Sequence, residues 1–304
     1  MVTIKRSVIQ IANSTQLISL PRKWSQKYGV KKGDELEIEE NGSDLIIRTK
    51  REISSIAVEI DFKGQESLIH RAISSIYKAG YDEIKILFEK PSELELVQST
   101  INQELIGFEI VDEGKNHIIA KQVSNIEHSE FDAMLRRTFI FLLSTADEAL
   151  ETLKTNNRSA FKNLVFRDIT INKLTDYCRR SLNKKESHFK HTGPGYTIVE
   201  LLEKIGDDYK SICAYCSENN IKTSKFTIQI VSEINQLLRD ANKLFYDFNL
   251  NEMRKFLERK NIIDKTTIAW SKIIRKDEVL LLLHSNSLAK NIFDLNGPIM
   301  ANAL

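Results

Sequence analysis

From Ser129 onward, more than half of this 304-residue chain, apolar side chains recur at helical spacing and no stretch alternates as a strand does. A chain written this way has to bury long amphipathic helices against one another. The 11 Gly and 4 Pro are few breakers for the length, and 28% charged residues suit the solvent faces of helices. The pattern predicts six helices, over 129–155, 158–184, 196–219, 224–248, 250–274 and 276–294. Phe161–Lys173 resembles Met253–Lys265 at an offset of 92, so two copies of a three-helix unit account for both length and periodicity.

Ahead of Ser129 the patterning changes twice. The β-branched run Val2, Thr3, Ile4, Val8, Ile9 and Ile11 predicts a strand over 2–12, broken at Asn13-Ser14 and resumed at Gln16–Leu20. Pro21 suits the first turn of a short helix over 22–28, which Gly29 ends. Asp34–Glu40 and Leu45–Arg48 flank Asn41-Gly42, a strong hairpin signal. About ten apolar side chains cannot close a core in so small a unit, so a second copy is expected to complete it. Residues 53–123 then predict strands at 56–62, 84–88, 108–111 and 118–123, with helices at 65–78 and 92–105. That βαβαββ order is a compact α/β module. The expected class is α+β, in three domains: a head (1–50), the module (51–125) and an all-helical body (126–304).

Charge singles out the head. The net charge of +2 hides seven Lys or Arg and no acid in residues 1–33, followed by six acids in Asp34–Asp44. Lys5 and Arg6 fall on the opening strand, Arg22, Lys23 and Lys27 on or beside the short helix, and Lys31 and Lys32 in its exit turn. A merely solvated face mixes signs. A one-signed patch doubled in a dimer suits a polyanion, and DNA is the expected partner. Arg6, Arg22, Asn13 and Gln16 are the side chains with groups that read base edges.

Other function classes find little support. The start MVTIKRSVIQ has no apolar core of a signal peptide, and three Cys suit a reducing interior, so a cytoplasmic location is expected. The longest apolar run, Val279–Leu283, is far too short to span a bilayer. Lys190–Gly195 carries glycines but no Gly-Lys-Ser/Thr, and no nucleophile elbow, His-Glu-x-x-His or dinucleotide fingerprint occurs, so no enzyme is expected. Cys213 and Cys216 form one CxxC inside a helix, and His188 and His191 would be needed to complete a zinc set. Two small buried hydrophobes is the plainer reading. Trp24 and Trp270 are read as packing residues.

Two families resemble these segments. Ile18–Trp24, Gly29–Ile38 and the closing hairpin are similar to the SpoVT/AbrB family, although the loop Ala12-Asn13-Ser14 lacks the glycine of many members. That resemblance implies an interleaved, swapped-hairpin homodimer that binds DNA. Glu200–Ile212 resembles the Leu-Glu-Arg-Ile-Gly-Asp segment of the PhoU family of phosphate regulators, built from two three-helix repeats. An AbrB-type head on a PhoU-type body looks like an archaeal phosphate uptake regulator. The PhoU resemblance further implies Glu-x-x-x-Asp pairs holding divalent metal clusters. Here Glu203 and Asp207 keep one such pair, but the partner helix reads Asp168-x-x-x-Asn172 and the second repeat reads Lys260-x-x-x-Asp264 and Leu283-x-x-x-Ser287. Asp168, Glu203 and Asp207 are the candidate ligands of a degraded site, and weak metal binding or none is expected. Two rival readings stay open: an adaptor that docks on a phosphate transporter or signalling kinase without touching DNA, and a metal-dependent enzyme.

Overall fold

A computed structural model of the chain describes residues 4–11, 15–41, 44–49, 56–123, 128–184, 187, 189, 191–219 and 221–304. It divides into two compact units, Met1–Ile56 and Ala57–Leu304. The expected boundaries at 50/51 and 125/126 fall on or beside residues outside the described ones.

The described residues of the first unit form two small hairpins and one short helix. β1 (Ile9–Ile11) pairs antiparallel with β2 (Thr15–Leu17), and α1 (Arg22–Lys27) follows Pro21. β3 (Leu36–Asn41) pairs with β4 (Asp44–Thr49), with Asn41 opposite Asp44, so the expected hairpin forms, with Asn41 in the strand rather than in the connection. β1 is much shorter than the strand expected over 2–12. In one chain only the three residues of β2 are there to pair with it, and a strand without a partner leaves its backbone groups to water. None of the described residues in this unit is buried.

The second unit begins with the βαβαββ module. β5 (Ala57–Asp61), α2 (Glu66–Ala79), β6 (Glu83–Leu87), α3 (Pro91–Glu104), β7 (Phe108–Gly114) and β8 (His117–Gln122) form a sheet in the order β5-β6-β8-β7. β5 and β6 are parallel, and the other pairings are antiparallel. Ile69, Ile73 and Tyr77 of α2 and Val97 and Ile101 of α3 share one core with Ile84, Ile86, Phe108, Ile118 and Ala120 of the sheet. Gly80 ends α2 in the left-handed conformation (φ 96°), the C-terminal cap glycine serves best.

Among the described residues seven helices follow: α4 (His128–Thr155), α5 (Arg158–Asn183), α6 (Thr192–Asn219), α7 (Lys225–Tyr246), α8 (Leu250–Ser271), α9 (Val279–Asp294) and α10 (Asn296–Ala303). α5 packs on α4 and α6, α7 on α8 and α9, and α6 joins the two sets through α9, all around one continuous core. The internal repeat is structural. Asn157 caps α5 by accepting from the amides of Ser159 (3.1 Å) and Ala160 (3.2 Å), and Asn249, 92 positions on, caps α8 through Asn251 (2.8 Å) and Glu252 (3.3 Å). Phe161, Leu164 and Ile171 are buried on α5, as their counterparts Met253, Phe256 and Ile263 are on α8. The predicted last helix differs in two ways. Lys276–Glu278 form a separate 3-10 turn before α9, and α10 follows α9 after Leu295. Asn296-Gly297-Pro298 reads as a break in sequence, but proline is tolerated in a helix's first turn and Ile299 is buried. Among the described residues no helix is long and apolar enough to cross a membrane.

Candidate nucleic-acid interface and the carboxylate cluster

The seven basic residues of 1–33 all reach solvent. Arg22 and Lys23 lie in the first turn of α1 and Lys27 in its last; Lys31 and Lys32 follow in the turn, and each side chain is exposed. Asp34, the first acid of the chain, accepts from the amide of Lys31 at 2.8 Å and so is engaged by backbone. Lys27 Nζ rests 5.2 Å from the ring centroid of Tyr28, which is in turn 5.4 Å from that of Trp24. Trp24 is half-buried against Tyr28, in line with a packing role. Lys5 and Arg6 are exposed but precede β1 rather than lying on a strand. Asn13 lies outside the described residues, and Gln16 lies in β2.

The apolar side chains of the head are exposed as well. Val8 (63%), Ile9 (56%), Ile11 (53%), Ile18 (54%), Ile38 (64%) and Leu45 (63%) present their surface to solvent in a single chain. β-branched strands with nothing against them are the reverse of a finished fold.

In the body, the carboxylates that would bind metal are held by cations of the chain itself. Asp168 Oδ2, on α5, accepts from Lys210 Nζ at 2.6 Å and from Asn172 Nδ2 at 3.1 Å. Lys210 Nζ is also 3.7 Å from Asp207 Oδ1. Burial and the Asp168 charge push Asp207 above the usual carboxylate range, against the pull of Lys210. Glu203, four residues before Asp207, turns instead to Arg179, which also holds Asp176 (2.8 Å) and Glu200 (3.1 Å). In the second repeat Lys260 Nζ donates to both oxygens of Asp264, at 2.6 and 2.7 Å, and lies 5.4 Å from the ring centroid of Phe293. Leu283 and Ser287 are exposed, whereas Asp208 on α6 accepts from Asn291 of α9 at 2.7 Å. Among the described residues no group of three or more His, Cys, Asp or Glu is placed to hold a metal ion. A metal cluster of the kind the PhoU resemblance implies does not fit: the structure joins Asp168 to Asp207 through an ammonium and ties Glu203 to a guanidinium.

Sequence reasoning found the three carboxylates and missed Lys210 and Arg179. Their signal was there. Lys210 lies one helical turn after Asp207, and Arg179 lies one helical turn after Asp176. The CxxC is a packing feature. Cys213 and Cys216 are buried in α6, and burial pushes both thiols up to about 12. His191 is exposed, and His188 lies outside the described residues.

Comparison with known proteins agrees with this division of the chain. Residues 9–54 match the family model described as "Antidote-toxin recognition MazE, bacterial antitoxin". No curated protein matches the chain. Among solved structures, the phosphate transport system regulatory protein PhoU from Streptococcus pneumoniae aligns with a TM-score of 0.50 and 13% identity, over 58% of this chain and 94% of its own. A PhoU-like protein from Shewanella oneidensis MR-1 aligns with a TM-score of 0.35 and 11% identity, over 56% of this chain and 93% of its own. The chain thus joins a MazE/AbrB-like N-terminal domain to a helical body with the fold of PhoU.

Proposed function

We propose that this protein is a DNA-binding transcriptional regulator, a homodimer of the cytoplasm that holds DNA with paired heads and relays a signal through its helical body. The observation that carries the reading is the head itself, which exposes all seven cations of residues 1–33 and leaves β-branched side chains uncovered in one chain. A second copy interleaved with the first would cover those strands and set two basic surfaces side by side. The MazE/AbrB-like match supports both halves of the reading. For the signal we favour phosphate uptake or related metabolism, because the body shares its fold with a phosphate transport regulatory protein.

Fluorescence anisotropy on a mixed-sequence duplex tests this. If each chain neutralises about three or four phosphates, log K falls with log salt at a slope of roughly −5 to −7. Replacing Arg22 and Lys23 with Ala removes about four contacts per dimer and flattens the slope by about 3 to 4. Folding survives, because both side chains are on solvent. Lys276→Ala, in the body, leaves the slope as it was. A slope near zero, or one the double substitution does not touch, would leave the adaptor that docks on a transporter or kinase as the better reading.

A further inference from the structure

We propose that Lys210 is a built-in counter-cation standing where a divalent metal ion would otherwise bind, and that removing its ammonium converts the Asp168–Asp207 cleft between α5 and α6 into a divalent-cation site. The inference concerns the body alone and holds whether or not the head binds DNA.

The arrangement exceeds what a surface ion pair needs. Asp168 is 5% exposed, so its charge is out of water and requires a partner. Lys210 supplies that partner from the next helix at 2.6 Å. The carboxylate is nevertheless not saturated: Asp168 Oδ1 is buried without a protein partner, and so is the side-chain oxygen of Asn172. With Asp207 Oδ1 3.7 Å from the same ammonium, the carboxylates of α5 and α6 face one cleft where a single positive charge stands between them. Several converging oxygens, at least two of them anionic, are what Mn2+ or Mg2+ require. An ammonium among them excludes such an ion twice, by filling the space and by repelling its charge.

The second repeat reaches the same end independently. Lys260 stands at the position equivalent to Asp168, 92 residues on, and clasps Asp264, the equivalent of Asn172, with both oxygens. Acid and base have changed places, yet again a lysine neutralises the only carboxylate at these two positions. Arg179 does the same for Glu203 and Glu200. Lys210 and Lys260 thus each hold a carboxylate of the body without a metal ion.

The test compares the full-length protein with Lys210→Ala, with Lys210→Gln, which retains a neutral donor towards Asp168, and with the double variant Lys210→Ala, Asp168→Asn. Each is stripped with chelator and titrated with MnCl2, reading thermal unfolding and the free-Mn2+ electron paramagnetic resonance signal. The wild-type protein is expected to bind no Mn2+ below about 1 mM and to keep its Tm. Lys210→Ala should unfold roughly 5–10 °C lower without metal and regain most of that with Mn2+, binding about one ion per chain. Lys210→Gln should bind Mn2+ as well, which keeps the test intact if the alanine variant does not fold, and the double variant should bind none. Wild-type protein that takes up Mn2+ as tightly as the variants would show that Lys210 does not hold the ion's place. Failure of both single variants to bind Mn2+ would show that the cleft is no cation site. Either result overturns the proposal.

Discussion

Arg180 of α5 donates from Nη2 to Asp82 Oδ1 at 2.7 Å, and this pair fastens the α/β module to the helical body. The same guanidinium gives Nη1 to the carbonyls of Tyr77 (3.0 Å) and Tyr81 (2.7 Å), and its Cζ lies 5.1 Å and 5.0 Å from the ring centroids of Tyr77 and Phe108. Its side chain is fully buried, and every one of these partners belongs to the module. A cation so placed links the module to the last turn of a long helix.

Arg180→Met should therefore destabilise the protein by about 3–5 kcal/mol, because it leaves two carbonyls in a closed interface without their donor and Asp82 without its buried guanidinium. Lys184, which also reaches Asp82 at 2.8 Å but is partly exposed, should cost less than about 1 kcal/mol when changed to Ala. Urea unfolding of the two variants measures both losses. Equal small losses would mean that packing alone holds the module in place.

Asp176 makes stability depend on pH in an unusual direction for an acid. Burial pushes its carboxyl up to about 6, outweighing the lowering charges of Lys78 and Arg179, while Glu203 adds to the rise. The folded protein then keeps a proton that the unfolded chain, near 3.8, has released. Native protein binds more protons between about pH 4 and 6, so the contribution of Asp176 to stability falls as pH rises through that window and is level above it. Against Asp176→Asn, the wild-type protein should lose up to about 3 kcal/mol of relative stability between pH 4 and 6.5. A difference between the two that stays constant with pH would refute this assignment.

Gly206 sets how closely α6 approaches α5. A Cβ at this position would lie 2.9 Å from both Cδ1 and Cγ2 of Ile171, closer than packed carbon atoms allow. Alanine favours a helix by about 1 kcal/mol over glycine, yet forcing this contact should win, and Gly206→Ala should destabilise by about 1–3 kcal/mol. Ile171→Ala, itself costly, should cost less in the Gly206→Ala background. Additive losses in the double-mutant cycle would place the strain elsewhere.

The head should hold the dimer together. Sedimentation of residues 57–304 should show a monomer where the full chain is a dimer. In the full chain, Ile9→Lys should weaken association at least tenfold, since it sets a charge where a strand face needs cover. A truncated chain that dimerises as well as the full one would move the interface to the body.

The secondary structure was legible wherever period and punctuation agreed. The six elements of the βαβαββ module stand close to where alternation and helical spacing put them, and α5 and α8 begin at the two asparagines that the repeat aligns. Legibility failed where local signals point the wrong way. Asn296-Gly297-Pro298 suggests an end but opens α10, whose Ile299 is buried in the core the other helices share. The run from Val2 to Ala12 suggests a long strand, yet its strand in one chain is only as long as the partner it finds.

What the residues determined by themselves is what depends on near neighbours: helix and strand periods, caps, the hairpin, the 92-residue repeat and the one-signed charge of the head. That Lys260, Leu283 and Ser287 are poor metal ligands was also legible there. Tertiary structure alone decided which charges meet. Lys210 reaches Asp168 across 42 residues and Arg180 reaches Asp82 across 98, over distances in sequence where no periodicity constrains direction. A buried charge takes its partner from whichever helix packing brings alongside, and that choice exists only once the core has closed.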